Sequence, residues 1–97
     1  VEADVGENVR SASNRGEVRQ AFSETIRKLR HAAGVSQERL AFDSRVDRRY
    51  MSGLERGLHN PSLETILKLL RTLNVSLRAF AREYEATLRR IRRKKPK

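Results

Sequence analysis

Apolar residues recur along this chain at the spacing of helix faces. Phe22, Ile26, Leu29 and Ala33 follow one another at intervals of four, three and four, which predicts a helix starting near Ala21. Gly34 ends it, because glycine takes the left-handed conformation that closes a helix at little steric cost. Ser36 then caps a second helix, with Glu38 in its first turn, Leu40 and Ala41 as apolar contacts, and an end near Asp43. Asp43-Ser44-Arg45 is a polar break, after which Asp47 caps a third helix that runs to about Arg56 and is closed by Gly57. Beyond Pro61, Ser62 caps a fourth helix with Leu63, Ile66, Leu67, Leu70 and Leu73 inward, ended by Asn74. Ser76 caps a fifth, on which Leu77, Phe80, Ala81, Tyr84, Leu88 and Ile91 form a stripe before Pro96. No segment alternates apolar and polar residues between turn signals, so the expected fold is all-α with five helices.

Size and charge narrow this picture. A chain of 97 residues predicts one domain with one core rather than a two-domain enzyme. No apolar run approaches the roughly 18 residues of a membrane-spanning helix, and no signal-peptide pattern occurs at the start. The chain therefore reads as soluble and cytoplasmic, and its first residue, Val1, predicts that the start has been trimmed. Without cysteine there is no disulfide, no thiolate metal site and no Cys nucleophile. The net charge of +10 predicts a polyanionic partner, nucleic acid before a membrane surface.

That charge is unevenly spread. Residues 1–19 carry four acids and three bases among small polar residues and read as a flexible arm. Residues 20–88 form the expected folded domain. Residues 89–97 carry seven bases (Arg89, Arg90, Arg92, Arg93, Lys94, Lys95, Lys97) and no acid, and are expected to be a frayed, solvated tail that adds phosphate attraction without sequence preference.

The third helix carries the specific signal. At about 100° per residue, Met51 and Leu54 define its core side, and Arg49, Arg56, Ser52 and Gly53 fall opposite, flanked by Arg48 and Tyr50. Guanidinium groups fork onto the major-groove acceptors of guanine or onto phosphate, and a bare glycine allows close backbone approach. Taken alone, such a cluster is also what a solvated helix face looks like. A short helix, a tight turn and this basic helix together make a helix-turn-helix, whose second helix lies in the major groove. Gln37, in the first turn of the preceding helix, is then placed to bond a phosphate beside free backbone N–H groups.

Ile26-Arg27-x-Leu29-Arg30, Gly34-Val35-Ser36-Gln37-Glu38-x-Leu40-Ala41, Val46-x-Arg48-x-Tyr50-Met51-Ser52-x-Leu54-Glu55-Arg56-Gly57 and Asn60-Pro61-Ser62-Leu63-Glu64-Thr65 resemble, in order and spacing, the Cro/repressor-type helix-turn-helix family, also called XRE-like. The likeness covers roughly residues 21–80. Asp47-Arg48-x-Tyr50 and Ser52-Gly53 look most like the restriction-modification controllers within it. The resemblance implies a five-helix, lambda-repressor-like domain that regulates transcription and binds an inverted-repeat operator in double-stranded DNA as a homodimer. It also implies that helix 47–56 enters the major groove, that Gln37 touches phosphate, and that Arg48, Arg49 and Ser52 face bases or nearby phosphate. Tyr50 would hold the backbone, and Arg30 and Glu55 would form an ion pair between the first and third helices. Leu77, Phe80, Tyr84 and Leu88 would supply the dimer interface, the inner ones shared with the core. At Gly53 many relatives place a base-reading side chain, so that part of the readout is missing or is taken over by Arg49 and Arg56.

Catalysis has little support. His31 and His59 have no partners at metal-ligand spacing, Glu83 and Glu85 point to different faces, and no nucleophile-elbow or phosphate-loop glycine pattern occurs, so neither metal nor cofactor nor enzyme activity is expected. With five helices in the DNA-binding fold, no small-molecule ligand domain remains. The competing reading is an antitoxin-like or coactivator-bridging module, whose nucleic-acid contact would run mainly through the basic tail.

Overall fold

The computed structural model describes residues 15–94, which form five α-helices: α1 (Arg15–Ala32), α2 (Gln37–Ser44), α3 (Arg48–Glu55), α4 (Leu63–Leu73) and α5 (Leu77–Lys94). There is no strand among the described residues. The helix starts follow from their caps. Ser36 Oγ accepts from Arg39 N at 3.0 Å, Asp47 Oδ1 from Arg49 N at 2.8 Å, Ser62 Oγ from Thr65 N at 3.1 Å, and Ser76 Oγ from Ala79 N at 3.0 Å. At the other ends, Gly34 and Gly57 take φ of 70° and 76°. Arg45 and Asn74 do the same work at 58° and 59°, and of these the arginine bears the larger steric cost.

The core joins all five helices. Ile26 of α1, Leu40 of α2, Met51 and Leu54 of α3 and Leu69 of α4 are wholly buried, and Phe80 of α5 meets Phe22 edge-on with ring centroids 5.9 Å apart. Met51 and Leu54 pin α3 from below and leave its other side outward. Burying a side chain of this size contributes about 1.5–3 kcal/mol, so even an eight-residue helix is held in one orientation.

Two boundaries and one buried face differ from the sequence expectation. Helix α1 begins at Arg15, so residues 15–19, read as part of a flexible arm, are helical; residues 1–14 lie outside the described residues. Helix α5 runs to Lys94, taking in most of the segment read as a frayed tail, and residues 95–97 lie outside the described residues. Both extensions have one cause. Arg92 Nε donates to Glu17 Oε1 at 3.2 Å, the Arg90 guanidinium pairs with Glu24, and Tyr84 OH donates to the Val18 carbonyl at 3.4 Å, so the two helix ends stabilise each other. In α4, Leu63 and Leu67 are not inward; they are 62% and 39% exposed, while Leu69 is buried. The buried stripe is Leu69, Leu70 and Leu73 with Ile66 half-buried beside it, so the inward face is turned toward Leu69 and away from Leu63 and Leu67.

Candidate nucleic-acid interface

Helices α2 and α3 are joined by Arg45, Val46 and Asp47, and the connection is closed by Val46 N donating to the Ala41 carbonyl at 2.9 Å. This is a helix-turn-helix. Beneath it, the Glu55 carboxylate is 2% exposed and receives three hydrogen bonds. Arg30 donates from Nε to Oε2 at 2.7 Å and from Nη2 to Oε1 at 2.9 Å, a two-point fork, and Gln37 Nε2 donates to Oε1 at 3.1 Å. Arg30 Nη1 also donates to the Val35 carbonyl at 2.9 Å, and Arg27 Nη1 to the Glu55 carbonyl at 3.1 Å. Charge is thus matched below α3, and α1, α2 and α3 meet at one carboxylate.

Above this anchor, Arg48, Arg49 and Arg56 are exposed, and among the described residues their guanidinium groups make no hydrogen bond or ion pair. They stand away from the side of the helix that Met51 and Leu54 bury, while Glu55, in its last turn, anchors it to α1 and α2. Ser52 is half-buried among these arginines. The arrangement offers three unneutralised forked donors to an anionic or acceptor-rich surface.

Several expected roles are redrawn by the packing. Gln37 does not present its amide nitrogen outward but donates it to Glu55, which leaves its backbone end of α2 and its amide oxygen for outside partners. Gly53 is not a bare backbone face. It is buried, and a Cβ built there would fall 2.4 Å from His59 Cδ2 and 2.5 Å from His59 Nε2. The same imidazole stacks on Tyr50, with centroids 4.9 Å apart and planes at 24°. His59 therefore belongs to the outer surface of α3 although it lies in the loop after it, and no helical periodicity signals that placement.

On α5, Phe80 is 7% exposed, stacked with Tyr84 and packed on Phe22, so it belongs to the core rather than to an outer face. Tyr84 and Leu88 are half-buried, and Leu77 is 49% exposed. Burial raises the Tyr84 phenol above its usual value, against the opposing charge of Arg92. Glu24 lies at the α1–α5 seam. Burial there pushes its carboxyl up, but hydrogen bonds from Gln20 and Arg90 and the charges of Arg90 and Arg27 outweigh that, and it titrates below its ordinary value. Among the described residues no three His, Asp or Glu side chains gather as a metal site, and no helix is long and apolar enough to cross a membrane.

Fold and surface together define a helix-turn-helix domain with a basic recognition helix. Residues 26–80 match the helix-turn-helix family pattern, and the chain belongs to that family, in its XRE-type branch of DNA-binding transcriptional regulators. The control protein C.BamHI of Bacillus amyloliquefaciens is 39% identical over 59 residues, 60% of this chain and 73% of the relative. The restriction-modification controller C.AhdI of Aeromonas hydrophila is 47% identical, with a TM-score of 0.61 over 64% of this chain and 94% of its own. The controller C.Esp1396I, solved as a tetramer on its natural 35 base-pair operator, is 31% identical, with a TM-score of 0.69 over 73% of this chain and 93% of its own. These relatives are regulators and controllers rather than enzymes.

Proposed function

We propose that this protein is a cytoplasmic transcriptional regulator of the controller type that binds an inverted-repeat operator as a homodimer, with α3 of each copy in the major groove. The observation that carries this reading is the set of unneutralised guanidinium groups on α3, above a buried anchor that holds the helix in place. A likeness to a controller solved on its operator supports it. In this reading Arg48 and Arg49 select bases, Ser52 and Arg56 contact bases or adjacent phosphate, and Tyr50 and the start of α2 at Gln37 hold the backbone.

The second copy packs on α5 through Leu77, which is 49% exposed, with the half-buried Tyr84 and Leu88 as further contacts. Arg89, Arg93 and Lys94, which stand exposed on the last turns of α5, add attraction to any duplex. Because Arg90 and Arg92 are engaged with α1, less of the basic segment is available for non-selective contact than its charge suggests. This favours the regulator over a bridging module whose nucleic-acid contact runs through the tail.

A gel-shift titration of an enriched duplex against its scrambled counterpart tests the reading. Two chains per enriched duplex are expected, and Arg49→Ala should lower affinity for the enriched duplex about 10- to 100-fold while leaving the scrambled one nearly unchanged. Equal loss on both duplexes would assign Arg49 to phosphate and remove it from base selection. Tail-dependent binding with no selectivity would favour the bridging module instead.

A further inference from the structure

Gly53 follows Arg49 by one helical turn on the outer side of α3, so whatever covers Gly53 stands next to Arg49 at the surface facing DNA. The cover is the imidazole of His59. Its Cδ2–Nε2 edge lies over the glycine, in the space where a Cβ at position 53 would project, and its plane stacks on Tyr50. The loop is held in this pose by its backbone, since Leu58 N donates to the Gly53 carbonyl at 2.9 Å. The residue is exposed, and among the described residues its ring nitrogens have no hydrogen-bond partner. With Cδ2 and Nε2 over Gly53, Nδ1 lies on the edge of the ring away from the glycine; turning the ring over exchanges Nδ1 with Cδ2 and Nε2 with Cε1, so one nitrogen stands on that outer edge in either orientation.

We propose that His59 is a base-contacting residue, delivering from the loop the polar group that Gly53 does not supply from the helix. The bare Cα at 53 is the recess that admits the ring, and Tyr50 is the platform that orients it. The outer nitrogen then hydrogen-bonds a base edge in the major groove, next to the base contacted by Arg49. This inference rests on the proposed DNA-binding role of α3. It differs from it in assigning specificity to a loop residue, and in coupling that residue to a glycine.

Three variants separate the ring's packing from its hydrogen bond. His59→Ala removes both, His59→Phe keeps the stack and removes the nitrogens, and Gly53→Ala places a methyl where the ring now sits. Each is compared with wild type for binding to a duplex enriched from a random pool by the wild-type chain, for binding to a scrambled duplex, and for the sequence each variant itself enriches. His59→Ala and His59→Phe should each weaken the enriched duplex about tenfold, change the scrambled duplex less than twofold, and relax preference at one base pair per half-site. Gly53→Ala should cause the same loss, and combining it with His59→Ala should add little more. If His59→Phe retains wild-type affinity and the same preferred base, the ring only packs and the proposal is overturned. Equal weakening on both duplexes would also overturn it, by assigning the ring to phosphate. If the wild-type chain enriches no sequence at all, the DNA-binding reading falls and the proposal with it, whereas enrichment with unaltered His59 variants removes this proposal alone.

Discussion

Glu55 and Glu83 each accept a hydrogen bond from a base on α1, at 2.7 Å from Arg30 and 2.8 Å from Lys28, yet only the first pair is out of water. The Arg30 and Glu55 side chains are 11% and 2% exposed; those of Lys28 and Glu83 are 66% and 36% exposed. Similar distances therefore carry different energies. A charge pair in high dielectric contributes at most about 1 kcal/mol, whereas removing one member of a buried pair leaves an uncompensated charge, at about 3–5 kcal/mol. The chain places the costly pair beneath the recognition helix, where its fork fixes α3 relative to α1 and α2. It places the inexpensive pair, Lys28 with Glu83, on the α1–α5 seam.

The strongest way to break this contrast is Glu55→Ala. It should destabilise the fold by about 3–5 kcal/mol, read by urea unfolding followed through helical circular dichroism, and it should reduce DNA affinity through the same loss of order. A Glu55→Ala protein with near-wild-type stability would remove the buried anchor from the account. Two turns away at the start of the same helix, Arg48→Ala should cost about 1–3 kcal/mol of operator binding with little change in the unfolding midpoint, since that guanidinium has no partner among the described residues. The helix-turn-helix connection gives a smaller effect of opposite sign. Arg45 sits at φ 58°, so Arg45→Gly should stabilise by about 1 kcal/mol by relieving left-handed strain, seen as a higher melting temperature. At the exposed seam, Lys28→Ala should cost less than about 1 kcal/mol, and less still at high salt.

Acid sharpens the comparison at the seam. Glu24 titrates lower in the fold than its ordinary value of 4.5, so the stability it contributes is present above that value and is lost as pH falls through the folded value. Glu24→Gln should therefore flatten the loss of stability between neutral and acid pH, as measured by thermal unfolding across that range. An unchanged acid profile would mean that Glu24 contributes nothing to the docking of α5.

Local chemistry made much of the fold legible in the sequence. Ser36, Asp47, Ser62 and Ser76 cap helices through side chains that reach backbone N–H groups within three residues, and Gly34 and Gly57 close them, so neighbouring residues alone carry those signals. The ends of α1 and α5 escaped the same reading because Glu17 meets Arg92 and Glu24 meets Arg90 across sequence separations that no periodicity records. Leu63, expected inward, is exposed and Leu69 is buried because five leucines and an isoleucine in α4 permit more than one apolar stripe, and packing on the core chooses among them. At the site, the Arg30 and Glu55 positions could be named from the family motif, but their burial and the third hydrogen bond from Gln37 could not. In the sequence, His59 reads only as an isolated histidine without partners at metal-ligand spacing. Its place over Gly53 depends on how the loop folds back, and a glycine at a position that commonly bears a reading side chain is the one sequence feature that pointed there.

The central claim, that α3 selects bases and does so from two symmetry-related copies, is tested most directly by enriching bound sequences from a random DNA pool with the wild-type chain. The account predicts an inverted repeat whose half-sites are centred roughly 10 base pairs apart. Enrichment of no sequence, with binding that follows only duplex length and salt, would contradict it.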